Sequence, residues 1–471
     1  MFQHPAKGRP YGDGGLGTPM NWSQLLVPVT SGVAVALIVA TVRFLWRRTR
    51  LPTGLSQRMT RRNYLAEMLV ISKNDNVERL DALVPNLLPA AGSPVLAEIQ
   101  ESWSQINDRR GVRVITRTEP ASLTAGAELL GTGIEVRVSR ALTADHLSYH
   151  VFSGLEHHTV LNRRNGGKDR PERLDEISAS KVFRSHFDEM WSESEPLESF
   201  LAGELLTESK PGDGLSRLAD RIREQRAAYQ LSAKAEDAVL RHLAFRHRAP
   251  VIFVTGLPGA GKSLVRRALA EELRRWRMQV DELNDYVYAF EEFLHALMLL
   301  GDGRGAGFSA QQGGAFQVER EDDLRPALHT LGHRVWENRR SNPITIVEFA
   351  RADTIGALKV FGDEVLAASQ IIHVRASDAQ RAARLARRGE PPKISVAGQL
   401  ISLEVSDDHR LPSNAADTLY SRDDFALLKA QKSVAGRLFL VENDSEGKVH
   451  IDEQVAAFVE AVVRPYRRLA S

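Results

Sequence analysis

The segment that most narrows the fold is VIFVTGLPGAGKSLVRRALAEEL, residues 251–273 of a 471-residue chain. The run APVIFVTG is apolar and rich in β-branched residues, the composition of a buried parallel strand. The next stretch, Gly256 to Ser263, fits G-x-x-x-x-G-K-[ST], and SLVRRALAEELRRW then reads as an amphipathic helix. Strand, glycine loop and helix in that order form a cradle for phosphates. Backbone N–H groups converge there and the helix dipole adds to them. The expected nucleotide-binding set is Gly256, Leu257, Pro258, Gly259, Ala260, Gly261, Lys262, Ser263 and Leu264. Lys262 is expected to reach the β- and γ-phosphates of ATP, and the Ser263 hydroxyl to ligate Mg2+.

Further strands are expected at MQVDELND (278–285), ITIVEFAR (344–351), ASQIIHVR (368–375) and RLFLVEND (437–444), each followed by helical sequence. This alternation predicts an α/β fold, a parallel sheet with helices on both faces. Ligands in such sheets lie beyond the carboxyl ends of the strands, where Asp285, Glu348 and Arg351 are expected to gather.

Residues 249–463 resemble the P-loop kinases of small molecules, which include nucleoside and nucleotide kinases, adenylylsulfate kinase and zeta-toxin-like kinases. GLPGAGKS, the acids Asp281 and Asp285 at the second strand, and the arginines after IIHVRASDAQ carry the likeness. The resemblance implies that Asp285, or secondarily Asp281, orients or deprotonates an acceptor hydroxyl. It implies that Glu348 positions Mg2+ or its water. It also implies that Arg384, Arg387 and Arg388 stabilise charge on the transferring phosphoryl group; the alternative for each arginine is a solvated helix face. Two features depart from that pattern: a glycine-rich insertion, GDGRGAGFSAQQGG, expected to be flexible, and Glu rather than Asp on the third strand. The implied partner is a small-molecule acceptor such as a nucleotide or nucleoside. The competing reading is an ATP-dependent signalling switch with a sensor domain. The ending VEFAR, which lacks paired acids, favours transfer.

Upstream, residues 1–21 are rich in Gly and Pro and read as a disordered tail. Leu25 to Val42 carries no charge, and with Trp22 and Trp46 at its flanks the segment 22–46 reads as a transmembrane helix contacting the lipid bilayer. Basic residues crowd after Val42 (Arg43, Arg47, Arg48, Arg50), placing the N-terminus outside and the bulk of the chain in the cytoplasm. Residues 51–205 are expected to form an α/β sensor or docking domain, helical up to about 110. A helical linker at 206–248 and the P-loop domain at 249–471 follow. Residues 111–191, ending FRSHFDEMW, resemble a phospholipase D-like half-domain. The His, Lys and Asp signature of that family is missing, which implies a non-catalytic relic.

Composition excludes several classes. With 62 basic and 60 acidic residues the net charge is only +2, giving no general nucleic-acid footprint. The absence of cysteine rules out disulfides, thiolate metal sites and cysteine nucleophiles.

Overall fold

The computed structural model describes residues 56–471, apart from 92, 110, 155–157, 166–167, 175–176, 208–214, 301–306, 311–315, 319, 339–342, 389–392, 398–399, 405–422 and 445–447. The tail and membrane span expected at 1–46 lie outside the described residues. Among those described, no helix is long and apolar enough to cross a membrane.

The first half is an eight-stranded mixed sheet. In chain order its strands are β1 (Ser56–Arg58), β2 (Arg79–Leu83), β3 (Val112–Arg117), β4 (Glu135–Ser139), β5 (Ser148–Ser153), β6 (Thr159–Asn165), β7 (Lys168–Leu174) and β8 (Glu195–Pro196). They lie in the order β1-β7-β6-β5-β2-β3-β4-β8. Strands β2, β3 and β4 run parallel, joined by helices α2 (Pro94–Arg109) and α3 (Pro120–Thr132), following α1 (Arg61–Ser72). Strands β5, β6 and β7 form an antiparallel meander covered by α4 (Ile177–Glu193).

Strand β2 corrects the sequence reading. VERLDALVPNLL has helical spacing, yet Arg79–Leu83 lies in mid-sheet with Leu80, Asp81, Ala82 and Leu83 all buried. A strand buried on both faces loses its alternation, so periodicity alone does not separate it from a helix.

The second half is a five-stranded parallel sheet, ordered β10-β13-β9-β14-β17. Its strands are β9 (Val251–Thr255), β10 (Val280–Asn284), β13 (Ile344–Glu348), β14 (Ser369–Arg375) and β17 (Leu438–Glu442). Strands β9 and β13 are buried along their whole length, as continuous apolar runs require. Helices α8 (Lys262–Arg275), α9 (Asp285–Leu300), α10 (Arg325–Asn338), α11 (Thr354–Lys359), α12 (Asp363–Ala367) and α13 (Asp378–Arg387) connect them. Of the glycine-rich insertion, only residues 307–310 are among those described. Phe308–Ala310 (β11) pairs antiparallel with Phe316–Val318 (β12), and Phe316 stacks on Phe293 of α9 at 5.1 Å. Phe308 and Phe316 are buried in one cluster with Phe290 and Phe293. A second small pair, β15 (Lys393–Ala397) with β16 (Leu400–Glu404), follows α13.

Between the sheets lie α5 (Leu197–Thr207), α6 (Leu215–Tyr229), α7 (Ala233–Arg248) and α16 (Lys448–Ala470), the last coming after the short α14 (Phe425–Ala430) and α15 (Lys432–Ala435). Within the helical linker expected at 206–248, residues 215–248 form two helices, α6 and α7. Gln230 at φ 51° separates them and the Ser232 hydroxyl caps the second. One apolar cluster runs from Met68 through Leu129, Phe200 and Leu243 to Leu269 and Val462, so these helices join the two sheets in one core.

Candidate nucleotide and acceptor site

Register builds the site. In the parallel pairing Asn284 of β10 sits opposite Glu348 of β13, and Glu348 sits opposite Val254 of β9. The residues just beyond these strand ends, Asp285, Ala350, Arg351 and the loop from Gly256, therefore meet at one edge.

The loop is locked by its glycines and by the residues behind it. Gly256 has φ 133°, and a Cβ there would run into the Val374 carbonyl of β14. Gly261, at φ 97°, caps α8, and a Cβ there would collide with the Asn443 amide. A loop this close to its neighbours can turn its N–H groups inward only with glycine. Asn443 Nδ2 donates to the Ala260 carbonyl at 2.7 Å. Arg381 Nε donates to Pro258 O at 3.1 Å; Arg384 Nη1 donates to Gly259 O and Ala260 O, both at 3.3 Å, and Arg384 Nη2 to Asn443 O at 2.8 Å. Arg384, expected over the phosphates, thus holds the carbonyl side of the loop. Arg388 is half-buried and its charge acts on Lys262, whereas Arg387 is exposed near the end of α13.

Lys262 is buried at the first turn of α8, its ammonium donating to Leu257 O at 3.3 Å. Burial pushes it down to about 8, opposed by Glu348 and reinforced by Arg388. Ser263 Oγ donates to Glu348 Oε1 at 2.8 Å, and Arg266 Nε pairs with Glu348 Oε2 at 3.1 Å. Burial raises Glu348 above the usual carboxylate range, against Lys262 and Arg266. A hydroxyl and a carboxylate side by side are the hard oxygen donors that suit Mg2+. With Lys262 adjacent and a loop whose glycines leave no room for a Cβ against Val374, Arg381 and Asn443, the residues present fit a nucleotide with its cation.

Asp285 and Arg351 gather as expected. Arg351 Nη1 lies 2.5 Å from Asp285 Oδ2 and donates to Ala350 O at 2.6 Å; Ala350 N also donates to Asp285 Oδ2, at 3.2 Å. Asp281 faces elsewhere, hydrogen-bonded to Asn338 of α10. Three contributors were not picked out from sequence. Arg266 stands one helical turn beyond Ser263, and Asn443 is the polar residue after the last strand; both positions are legible signals. His373, buried in β14 between Thr255 and Asp423, carries no sequence signal, because those partners lie 118 and 50 residues away.

A family model described as an AAA domain matches residues 252–410. No curated protein matches the chain. Among solved structures, the chain is similar to a sugar kinase from Janibacter sp. HTCC2649, with TM-score 0.27 and 14% identity over 45% of this chain and 98% of that one. APE1195 gives TM-score 0.26 and 16% identity over 46% and 98%. TrmBL2, an archaeal chromatin protein, gives 0.24 and 9% over 37% and 66%. Structural likenesses this slight carry no functional argument. Loop, register and family match agree on a P-loop nucleotide-binding domain in the C-terminal half, similar over residues 252–410 to the AAA domain.

Proposed function

We propose that the chain transfers the γ-phosphoryl group of ATP to a hydroxyl of a small molecule. The observation that carries this reading is Asp285. It is a buried carboxylate beside the phosphate cradle, whose protein partners among the described residues all fall on Oδ2. Among those residues Oδ1 faces no competing donor, and it can accept from an acceptor O–H. In the proposed reaction the acceptor oxygen bonds to the γ-phosphorus as the bond to the β–γ bridging oxygen breaks. ADP leaves, and the hydroxyl proton passes to Asp285 or onward to solvent. Lys262 and the loop N–H groups orient the phosphates; Arg388 adds positive charge nearby. Ser263 and Glu348 would hold Mg2+, which when bound offsets phosphate charge. Arg381 and Arg384 keep the loop shaped for this work. The first-half sheet is proposed as a sensor or docking unit.

A switch that only hydrolyses ATP has no acceptor for Asp285 to serve. The test compares Asp285→Asn and Lys262→Ala with the wild type, measuring ADP affinity and label transfer from γ-labelled ATP to a metabolite extract. Transfer predicts that Asp285→Asn binds ADP within about twofold of wild type yet loses transfer about 100-fold or more, while Lys262→Ala loses binding. If no label moves and Asp285→Asn hydrolyses ATP as the wild type does, the transfer reading falls.

A further inference from the structure

Three buried polar side chains beside the site take their partners from one dipeptide. Thr255, His373 and Thr354 are 0%, 1% and 2% exposed, and their hydrogen bonds all lead to Asp423 or Asp424. His373 and Thr255 sit opposite each other at the ends of β14 and β9. Asp423 Oδ1 accepts from His373 Nε2 at 3.1 Å and from Phe425 N at 2.8 Å. In a neutral ring Nδ1 is then the acceptor, and the Thr255 hydroxyl donates to it at 3.1 Å. On the next carboxylate, Thr354 N donates to Asp424 Oδ2 at 2.7 Å and Thr354 Oγ1 to Asp424 Oδ1 at 2.9 Å. Apolar burial brings the dipeptide here. It precedes α14, whose Leu428 is buried with Phe253, Leu358 and Ile371.

Resting on the phosphoryl-transfer reading, we propose that Asp423 and Asp424 are positioning residues that clasp the phosphate loop to the acceptor corner. Thr255 immediately precedes Gly256, and Thr354 stands three residues after Arg351, the partner of Asp285. The strand ladder does not by itself set the separation of these two loops. Pairing of β13 with β9 runs to Glu348 and Val254, with one further bond from Phe349 N to Val254 O at 3.2 Å. Beyond that point each chain leaves the sheet, and the two neighbouring aspartates reach both. A second route from Asp423 runs through Arg375, whose guanidinium lies 3.9 Å away. The Arg375 carbonyl accepts from Asn443 N at 2.8 Å, and the Asn443 amide in turn holds Ala260 O. Gly256 leans on the Val374 carbonyl, between His373 and Arg375. In-line transfer needs reacting atoms about 3–3.5 Å apart, and a misplacement of about 1 Å costs about 100-fold. A fully satisfied buried polar network specifies one arrangement, which suits a separation that must be held closely.

The test changes the two threonines in the full chain. Valine keeps the shape and removes the hydroxyl, whereas serine keeps the hydroxyl. ADP affinity, label transfer from γ-labelled ATP to a metabolite extract, and the urea midpoint are measured for each variant. Thr255→Val is expected to weaken ADP binding about fivefold, and Thr255→Ser to stay within about twofold of wild type. Thr354→Val is expected to bind ADP within about twofold of wild type yet lose transfer about tenfold or more. Thr354→Ser is expected to restore transfer. A merely structural role lowers the midpoints without dividing binding from transfer, and that result overturns the clasp while the transfer reading stands. In the wild type, ADP is expected to slow hydrogen exchange at residues 423–430. Exchange there unaltered by ADP overturns the clasp even if a valine variant does not fold. No label moved by the wild type overturns the transfer reading itself, and the clasp with it.

Discussion

His242 of α7 shows what burial does to one side chain. Its Nε2 donates to the Trp276 carbonyl at 2.8 Å, and the ring is 3% exposed. Burial, with Arg246 and Arg277 nearby, pushes it down to about 4 from the usual 6.5. Between those values the unfolded chain takes a proton that the folded chain refuses, so stability falls as pH falls through this window. The loss from this residue is about 3 kcal/mol. Glutamine can still donate to the carbonyl but does not titrate. His242→Gln is therefore expected to flatten the decline in urea midpoint between pH 7 and pH 4.5, and parallel declines in the two proteins would contradict the assignment. Nothing in the sequence distinguishes this histidine, because its partner carbonyl arrives from 34 residues away.

Helix α8 carries Lys262 and Ser263 at one end and is clamped at the other. Arg241 lies over the Trp276 ring at 3.5 Å. Arg277, at φ 58°, donates to Gly133 O at 3.2 Å and faces Glu198 at 3.5 Å and Glu135 at 3.9 Å. Glu198 is 2% exposed, and burial raises its carboxyl above the usual range despite Arg277. Removing the guanidinium leaves that acid buried without its counter-charge, so Arg277→Ala should destabilise by on the order of 3 kcal/mol. Adding Glu198→Gln should recover a large part of the loss. A double-mutant cycle by chemical denaturation reads this directly, and additive losses would show that the two residues do not act on each other. The helix itself was legible from its apolar spacing, but its anchorage to the first sheet was not. Glu135 and Glu198 are solvent-type residues until the fold closes over them.

At the scale of the whole molecule, α5, α6, α7 and α16 are shared walls. Their apolar faces complete the cores of both sheets, so neither sheet is sealed without them. Residues 249–471 alone would expose the surface of α16 that packs on α6 and α7. The expected outcome is that this fragment aggregates or unfolds, whereas residues 56–471 unfold in one transition. Trp103, buried against α1, and Trp276, beside α7, serve as separate reporters in single-tryptophan variants. Coincident midpoints support one cooperative core, and two resolved transitions would refute it.

The phosphate cradle was decided by sequence alone because its physics is local. Glycine at Gly256 and Gly261, Lys262 and Ser263 at a helix start, and an apolar strand before them all stand within one short stretch of sequence. The parallel α/β alternation was equally readable, since each strand and helix declares itself by its own composition. Tertiary structure decided what depends on partners far apart in the chain. It made Arg79–Leu83 a strand by burying both its faces, and stacked Phe316 on Phe293. It turned Arg384 toward the carbonyls of the loop, and set Arg351 against Asp285 across 66 residues. Composition states which groups are available; only the packed chain determines which of them lose water and which charge each then meets.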